Sequence, residues 1–108
     1  MQERDPLHIE RIIIELEFIN KNFSCVNKEK FLNDEMIQHA LLMAFLNIGE
    51  CVNRLSDIFK EQHNHIEWVK IIALRNLAAH GYWQLNMEQI WQALIINIPK
   101  LTEFFNSI

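Results

Sequence analysis

With 108 residues, half of them hydrophobic and 22% charged, the chain has the means for one packed core and no more, since folding at this size hides somewhat under ~70% of the unfolded surface. Its apolar content excludes a disordered tail. A net charge of −4 scattered along the sequence excludes a broad basic surface for nucleic acid, so any contact with RNA must be local.

Only two cysteines occur, Cys25 and Cys51, in no zinc-type spacing, and both read as reduced thiols. The N-terminus, Met-Gln-Glu-Arg-Asp-Pro, carries no basic segment followed by an apolar stretch, and the longest apolar run is residues 40–46. The expectation is one domain over 1–108, cytoplasmic, with no membrane association.

Two glycines and two prolines, with no Asn-Gly or Asp-Gly pair, leave little punctuation for a sheet, so helices are predicted throughout. The first starts with Asp5 as N-cap and Pro6 at the first helical position, and sets Ile9, Ile12, Ile13, Leu16, Ile19 and Phe23 at helical spacing. A polar loop over 24–30 follows. Asn33 offers the cap of a long second helix reaching about residue 59. After a polar connection at 60–65, a third helix is predicted over 66–80, with Gly81 as its stop. Asn86-Met87-Glu88-Gln89 resembles a capping box opening a fourth helix, kinked at Pro99, which lacks the N–H that would bond the carbonyl of Ile95.

These elements predict an all-α fold, an antiparallel up-and-down bundle of four main helices. The second helix is apolar all the way round at 40–46, more than one face of such a bundle needs. Either a second chain covers the excess or this helix is central in the fold.

The chemistry concentrates in Arg75-Asn76-Leu77-Ala78-Ala79-His80-Gly81-Tyr82. Asn76 and His80 share a helix face at i and i+4, whereas Arg75 and His80 stand about 140° apart at ~100° per residue. One straight helix cannot aim both at a small target. Either the helix ends near His80 and the ring swings over, or Arg75 and His80 of two chains converge about a symmetry axis. In the last turn of a helix His80 meets the negative end of the macrodipole, which favours its protonated form and a pKa near neutrality.

The pattern Arg75-Asn76-x-x-x-His80-x-Tyr82 is similar to the R-(polar)-x3-H-x-Y signature of the HEPN superfamily, specifically its HepT-like toxin branch. Segments Ile48-Gly49-Glu50, Asn53-Arg54-Leu55-Ser56, Trp68-Val69-Lys70-Ile71-Ile72, Trp91 and Ile98-Pro99-Lys100-Leu101 also resemble that branch, and the likeness runs from about Leu7 to Phe105. The resemblance implies a HEPN-like bundle and a metal-independent ribonuclease toxin acting as a homodimer, with a minimal nucleotidyltransferase as its antitoxin. By position Arg75 and His80 match the catalytic pair, Asn76 the intervening polar residue, and Tyr82 the tyrosine that the antitoxin adenylylates. The sequence departs from many relatives after Tyr82-Trp83, where Gln84-Leu85-Asn86 replaces a stretch with glycine and aspartate.

These residue types suit RNA cleavage by the ribose 2′-hydroxyl, which needs proton transfer and positive charge at the phosphate. His80 supplies the first and Arg75 the second, while Asn76 holds the phosphate or fixes a histidine tautomer. Glu50, inside an apolar helix, is a candidate partner for Arg75 or else a solvated residue on the outer face. His63-x-His65 has no further ligands at local spacing and reads as a polar loop, so neither metal nor cofactor is expected. Trp68 and Trp91 are assigned to the core, and Trp83 is the tryptophan with a place near a ligand. The alternative function is a non-catalytic helical partner that presents substrate or nucleotide to a nucleotidyltransferase.

Overall fold

The computed structural model describes residues 3–79 and 86–108. All regular structure among them is helical, with no strand: α1 (Asp5–Phe23), α2 (Lys28–Leu32), α3 (Glu35–Arg54), α4 (Asp57–Gln62), α5 (Trp68–Ala79), α6 (Met87–Gln92), a π-helical turn (Ala93–Asn97) and α7 (Ile98–Ser107). The fold is an all-α, HEPN-like bundle in which α1, α3, α5 and the continuous segment 87–107 are the long members. The expected helix stop at Gly81 lies outside the described residues.

Helix α1 buries Asp5, His8, Ile12, Leu16, Ile19 and Phe23, a repeat of three and four that keeps one stripe inward. Asp5 is the first helical residue rather than the cap; Arg4 holds the cap position and makes no side-chain cap bond. The Asp5 carboxylate instead accepts the Ser56 backbone N–H at 2.8 Å and the Ser56 hydroxyl at 2.6 Å. This tie joins the start of α1 to the end of α3. Farther along, Asn47 donates to Glu15 at 3.2 Å, so α1 and α3 run antiparallel.

The same tie corrects the predicted second helix, which does not continue to residue 59. Leu55 turns extended and Ser56 caps a new helix, its hydroxyl accepting the Phe59 N–H at 3.2 Å. The long-range bond to Asp5 outweighs local helix propensity there. The expected loop at 24–30 is likewise interrupted by α2, whose cap Asn27 accepts from Lys30 at 2.8 Å. Asn33 closes α2, and the cap of α3 is Asp34, which accepts from Ile37 at 3.1 Å.

Helix α3 lies between α1 and α5, while α1 also meets α7 and α2 meets both α3 and α6. Its apolar run is therefore absorbed largely within the chain. Leu41, Leu42, Ala44 and Phe45 are buried, Ala40 and Leu46 half-buried, and only Met43 is left exposed. Full burial of a side chain of this size contributes roughly 1.5–3 kcal/mol, so a central position accounts for the run without a second copy. In the last segment Asn86 caps α6 by accepting from Glu88 at 2.9 Å. Ahead of Pro99 the ladder widens to π geometry, with the Ile98 N–H bonded to the Ala93 carbonyl. The wider turn relieves the clash a proline ring makes with the carbonyl four residues back.

Candidate active site

Arg75 lies on α5, and its position follows from what α3 lacks. At Gly49 the two helices approach so closely that a Cβ built there would lie 2.2 Å from the Arg75 Cβ and 3.0 Å from its Cα and backbone N. No side chain fits between them. One residue later Glu50 reaches across to Arg75. Its Oε1 accepts from the Arg75 Nε in a short ion pair, and its Oε2 lies 3.9 Å from the Arg54 guanidinium one turn along α3. The Arg75 Nη1 also donates to the Asn76 Oδ1 at 3.0 Å.

Glu50 and Asn76 thus engage two of the five N–H donors of the guanidinium, and no other partner takes the remaining three among the described residues. The Arg75 and Glu50 side chains are 41% and 32% exposed, a setting in which an ion pair is worth about 0.2–1 kcal/mol at most. Its effect is positional. Of the expected site residues the structure brings Arg75, Asn76 and Glu50 together, while His80, Tyr82 and the neighbouring Trp83 lie outside the described residues.

On the opposite side of Glu50 a cleft of about 340 Å³ opens between α1 and α3, lined by Arg11, Ile14, Glu15, Asn47, Glu50, Cys51 and Arg54. Cys51 is half-buried and free; burial pushes its thiol pKa up, so it stays protonated. Nearby, His8 is buried with an Nδ1 that has no hydrogen-bond partner among the described residues. Its pKa is lowered by burial first and then by Arg11, Arg54 and Arg4, with Asp5 opposing. Sequence reasoning did not reach the cleft. The i, i+4 spacing of Glu50 and Arg54 was the local signal, while Arg11 arrives from another helix and leaves none.

The remaining sequence assignments resolve by packing. His63 and His65 stack edge-on against buried Phe104, with ring centroids 5.0 and 5.5 Å away. Trp68 is buried against Phe104 and Phe59, its indole N–H donating to the carbonyls of Lys60 and His63. Trp91 is half-buried on Phe31, with centroids 5.5 Å apart. No group of histidine, cysteine or carboxylate side chains among the described residues could hold a metal ion. None of the described helices is long and apolar enough to cross a membrane.

Comparison with known proteins places the chain among ribonuclease-named relatives. The chain is 30% identical over 94 residues to a protein of Caldanaerobacter subterraneus subsp. tengcongensis named as a putative RNase, covering 87% of this chain and 84% of the relative. It is 27% identical over 101 residues to the probable ribonuclease HepT of Thermococcus cleftensis, covering 94% and 92%. A Methanocaldococcus jannaschii protein named gamma-glutamylcyclotransferase and putative RNase is 24% identical over 103 residues, 95% of this chain but 46% of that longer one. No solved structure matches the chain. The HepT-like ribonuclease family matches residues 12–108, nearly the whole chain, and the chain belongs to this family.

Proposed function

We propose that the protein is the toxin of a toxin–antitoxin pair, a metal-independent endoribonuclease whose catalytic residues are Arg75, His80 and Asn76. The observation that carries this reading is the guanidinium of Arg75, fixed at Nε by Glu50 and at Nη1 by Asn76 with its other donors uncommitted among the described residues. A phosphate gripped there by charge-assisted bonds is stabilised as negative charge builds on its oxygens. His80 moves the proton of the 2′-hydroxyl or of the leaving oxygen. A homodimer supplies two copies of His80, one as base and one as acid; exposed Phe18, Met36 and Met43 on α1 and α3 provide apolar surface for the contact.

Silencing follows from Tyr82, two residues beyond His80. Transfer of AMP to its hydroxyl by a nucleotidyltransferase antitoxin puts a phosphate where the RNA phosphate has to sit, in competition for Arg75. The purified protein should cut RNA in the presence of a chelator, and His80→Ala and Arg75→Ala should each abolish cleavage with the helical circular dichroism unchanged. A folded His80→Ala protein that cuts at the parental rate would falsify the assignment. Incubation with the nucleotidyltransferase and ATP should add mass to the peptide containing Tyr82 and stop cleavage; a Tyr82→Phe protein that is still modified and silenced rules that site out.

A further inference from the structure

We propose that the cleft between α1 and α3 is a phosphate-binding subsite, in which Arg11 and Arg54 hold the backbone of single-stranded RNA next to the phosphate taken by Arg75. The choice of RNA as ligand rests on the ribonuclease reading; the site itself rests on three features of the cleft.

First, the cleft and the candidate active site share a wall. Glu50 lines the cleft and pairs with Arg75 on its other side, so a strand leaving Arg75 across Glu50 enters the cleft. Second, the cleft gathers two guanidiniums in a chain of net charge −4: its lining sets Arg11 and Arg54 against Glu15 and Glu50, with Arg75 on the far side of Glu50. Those carboxylates are committed: Glu15 accepts from Asn47, and Glu50 is divided between Arg75 and Arg54. Arg11 has no ion pair among the described residues, and the 3.9 Å separation of Arg54 from Glu50 leaves its fork open to a better acceptor. Guanidiniums so placed match phosphate oxygens in pairs.

Third, the space is adequate. About 340 Å³ falls in the range of roughly 300–1,000 Å³ typical of small-ligand sites. The mixed lining fits a nucleotide: Ile14 gives an apolar wall for a base or sugar, while Asn47 and the two arginines give polar contacts along the backbone.

The test uses the full-length protein and a fluorescent 2′-O-methyl RNA oligonucleotide, which has no free 2′-hydroxyl to attack and so reports binding alone. Affinity is measured by anisotropy over a series of NaCl concentrations. Each phosphate contact on a single strand contributes about −0.7 to the slope of log K against log salt. The Arg11→Gln/Arg54→Gln double variant should therefore be shallower by about 0.7 to 1.4, and Arg11→Lys/Arg54→Lys should keep most of the parental slope. Lys21→Gln, which removes the same charge from exposed surface on α1 away from the cleft, should stay near the parent. On a Cys25→Ser background, the oligonucleotide should slow modification of Cys51 by a thiol reagent.

The subsite is refuted if the glutamine double variant keeps the parental affinity and slope, if it changes no more than Lys21→Gln per charge removed, or if the parent binds no oligonucleotide. It is equally refuted if that variant alters only self-association in sedimentation, which makes the cleft a contact between copies. A parent that shows the arginine-dependent slope but cuts no ordinary RNA leaves the subsite standing and removes the ribonuclease reading. Cleavage by the parent with an unchanged slope in the variant does the reverse.

Discussion

The two flanks of α3 are built on opposite plans within a few residues of each other. Toward α5, at Gly49, the helices meet so closely that a Cβ has no room; toward α1 a polar cleft opens beside Asn47, Cys51 and Arg54. Glu50 belongs to both flanks. Close contact fixes the backbone from which Arg75 projects, and the open side leaves room for something that is not protein. A site needs both, because a donor is worth most when its position is settled before the ligand arrives, and a ligand needs unfilled space.

Gly49→Ala strikes the tight flank hardest. Helix propensity alone favours alanine by roughly 0.5–1 kcal/mol, but a methyl 2.2 Å from the Arg75 Cβ forces the helices apart at an overpacking cost near the upper end of ~1–3 kcal/mol. The expected net loss is about 2 kcal/mol, a fall in Tm of roughly 8–16 °C, with loss of RNA cleavage. A variant that melts higher than the parent would show that the close approach is not needed. Glu50→Gln tests the shared wall. Calorimetry should find stability within about 1 kcal/mol of the parent, as for a part-exposed pair, while loss of Arg75 positioning lowers kcat/KM by roughly 10²-fold. Parental kinetics in that variant would make the pair ornamental.

The open flank depends on the tie at its far end. Asp5→Ala strands the Ser56 N–H and hydroxyl that now donate to the carboxylate, at a cost of roughly 1–3 kcal/mol in urea unfolding; an unchanged midpoint would mean that α1 is held by its apolar stripe alone. His8 provides the smallest effect. With its pKa held below the ordinary 6.5 by burial and by the arginines, the unfolded chain takes up the proton first as pH falls. Stability is therefore full above about pH 6.5 and declines below it. Melting curves from pH 7.5 to 5 should fall less steeply for His8→Gln than for the parent, and coincident curves would remove His8 from the pH response.

The helices were legible because each carries its burial pattern locally. The stripe Ile12, Leu16, Ile19 and Phe23 is written in the spacing, as are the Asn86 cap and the core position of Trp68, while Trp91 only packs half-buried against the core. The failures sit where distant residues decide. Nothing near Ser56 announces that Asp5 will hold its backbone, so one long helix was expected where the chain makes two. Arg75 and Asn76 could be picked out by pattern, and Glu50 as a candidate partner from its place in an apolar helix. The reason Gly49 is glycine appears only when α3 and α5 are brought together, and Arg11 joins Arg54 only through the pairing of α1 with α3. His80 and Tyr82 lie beyond what the structure describes, so for them the sequence remains the sole witness.

The π-helical turn at Ala93–Asn97 bears on how this chain tolerates changes of length. Bonding from i to i+5 lets the turn hold one residue more than an α-helix would place between the same two ends. Deleting a single residue there lets the ladder close as α and leaves Leu101, Phe104 and Phe105 pointing into the core as they do now. The same deletion in the middle of α3 turns every later side chain of that helix by about 100° and carries Glu50 away from Arg75. Single-residue gaps among natural variants of this chain are accordingly expected at 93–97, where the helix holds a residue in reserve, and not between Met43 and Glu50.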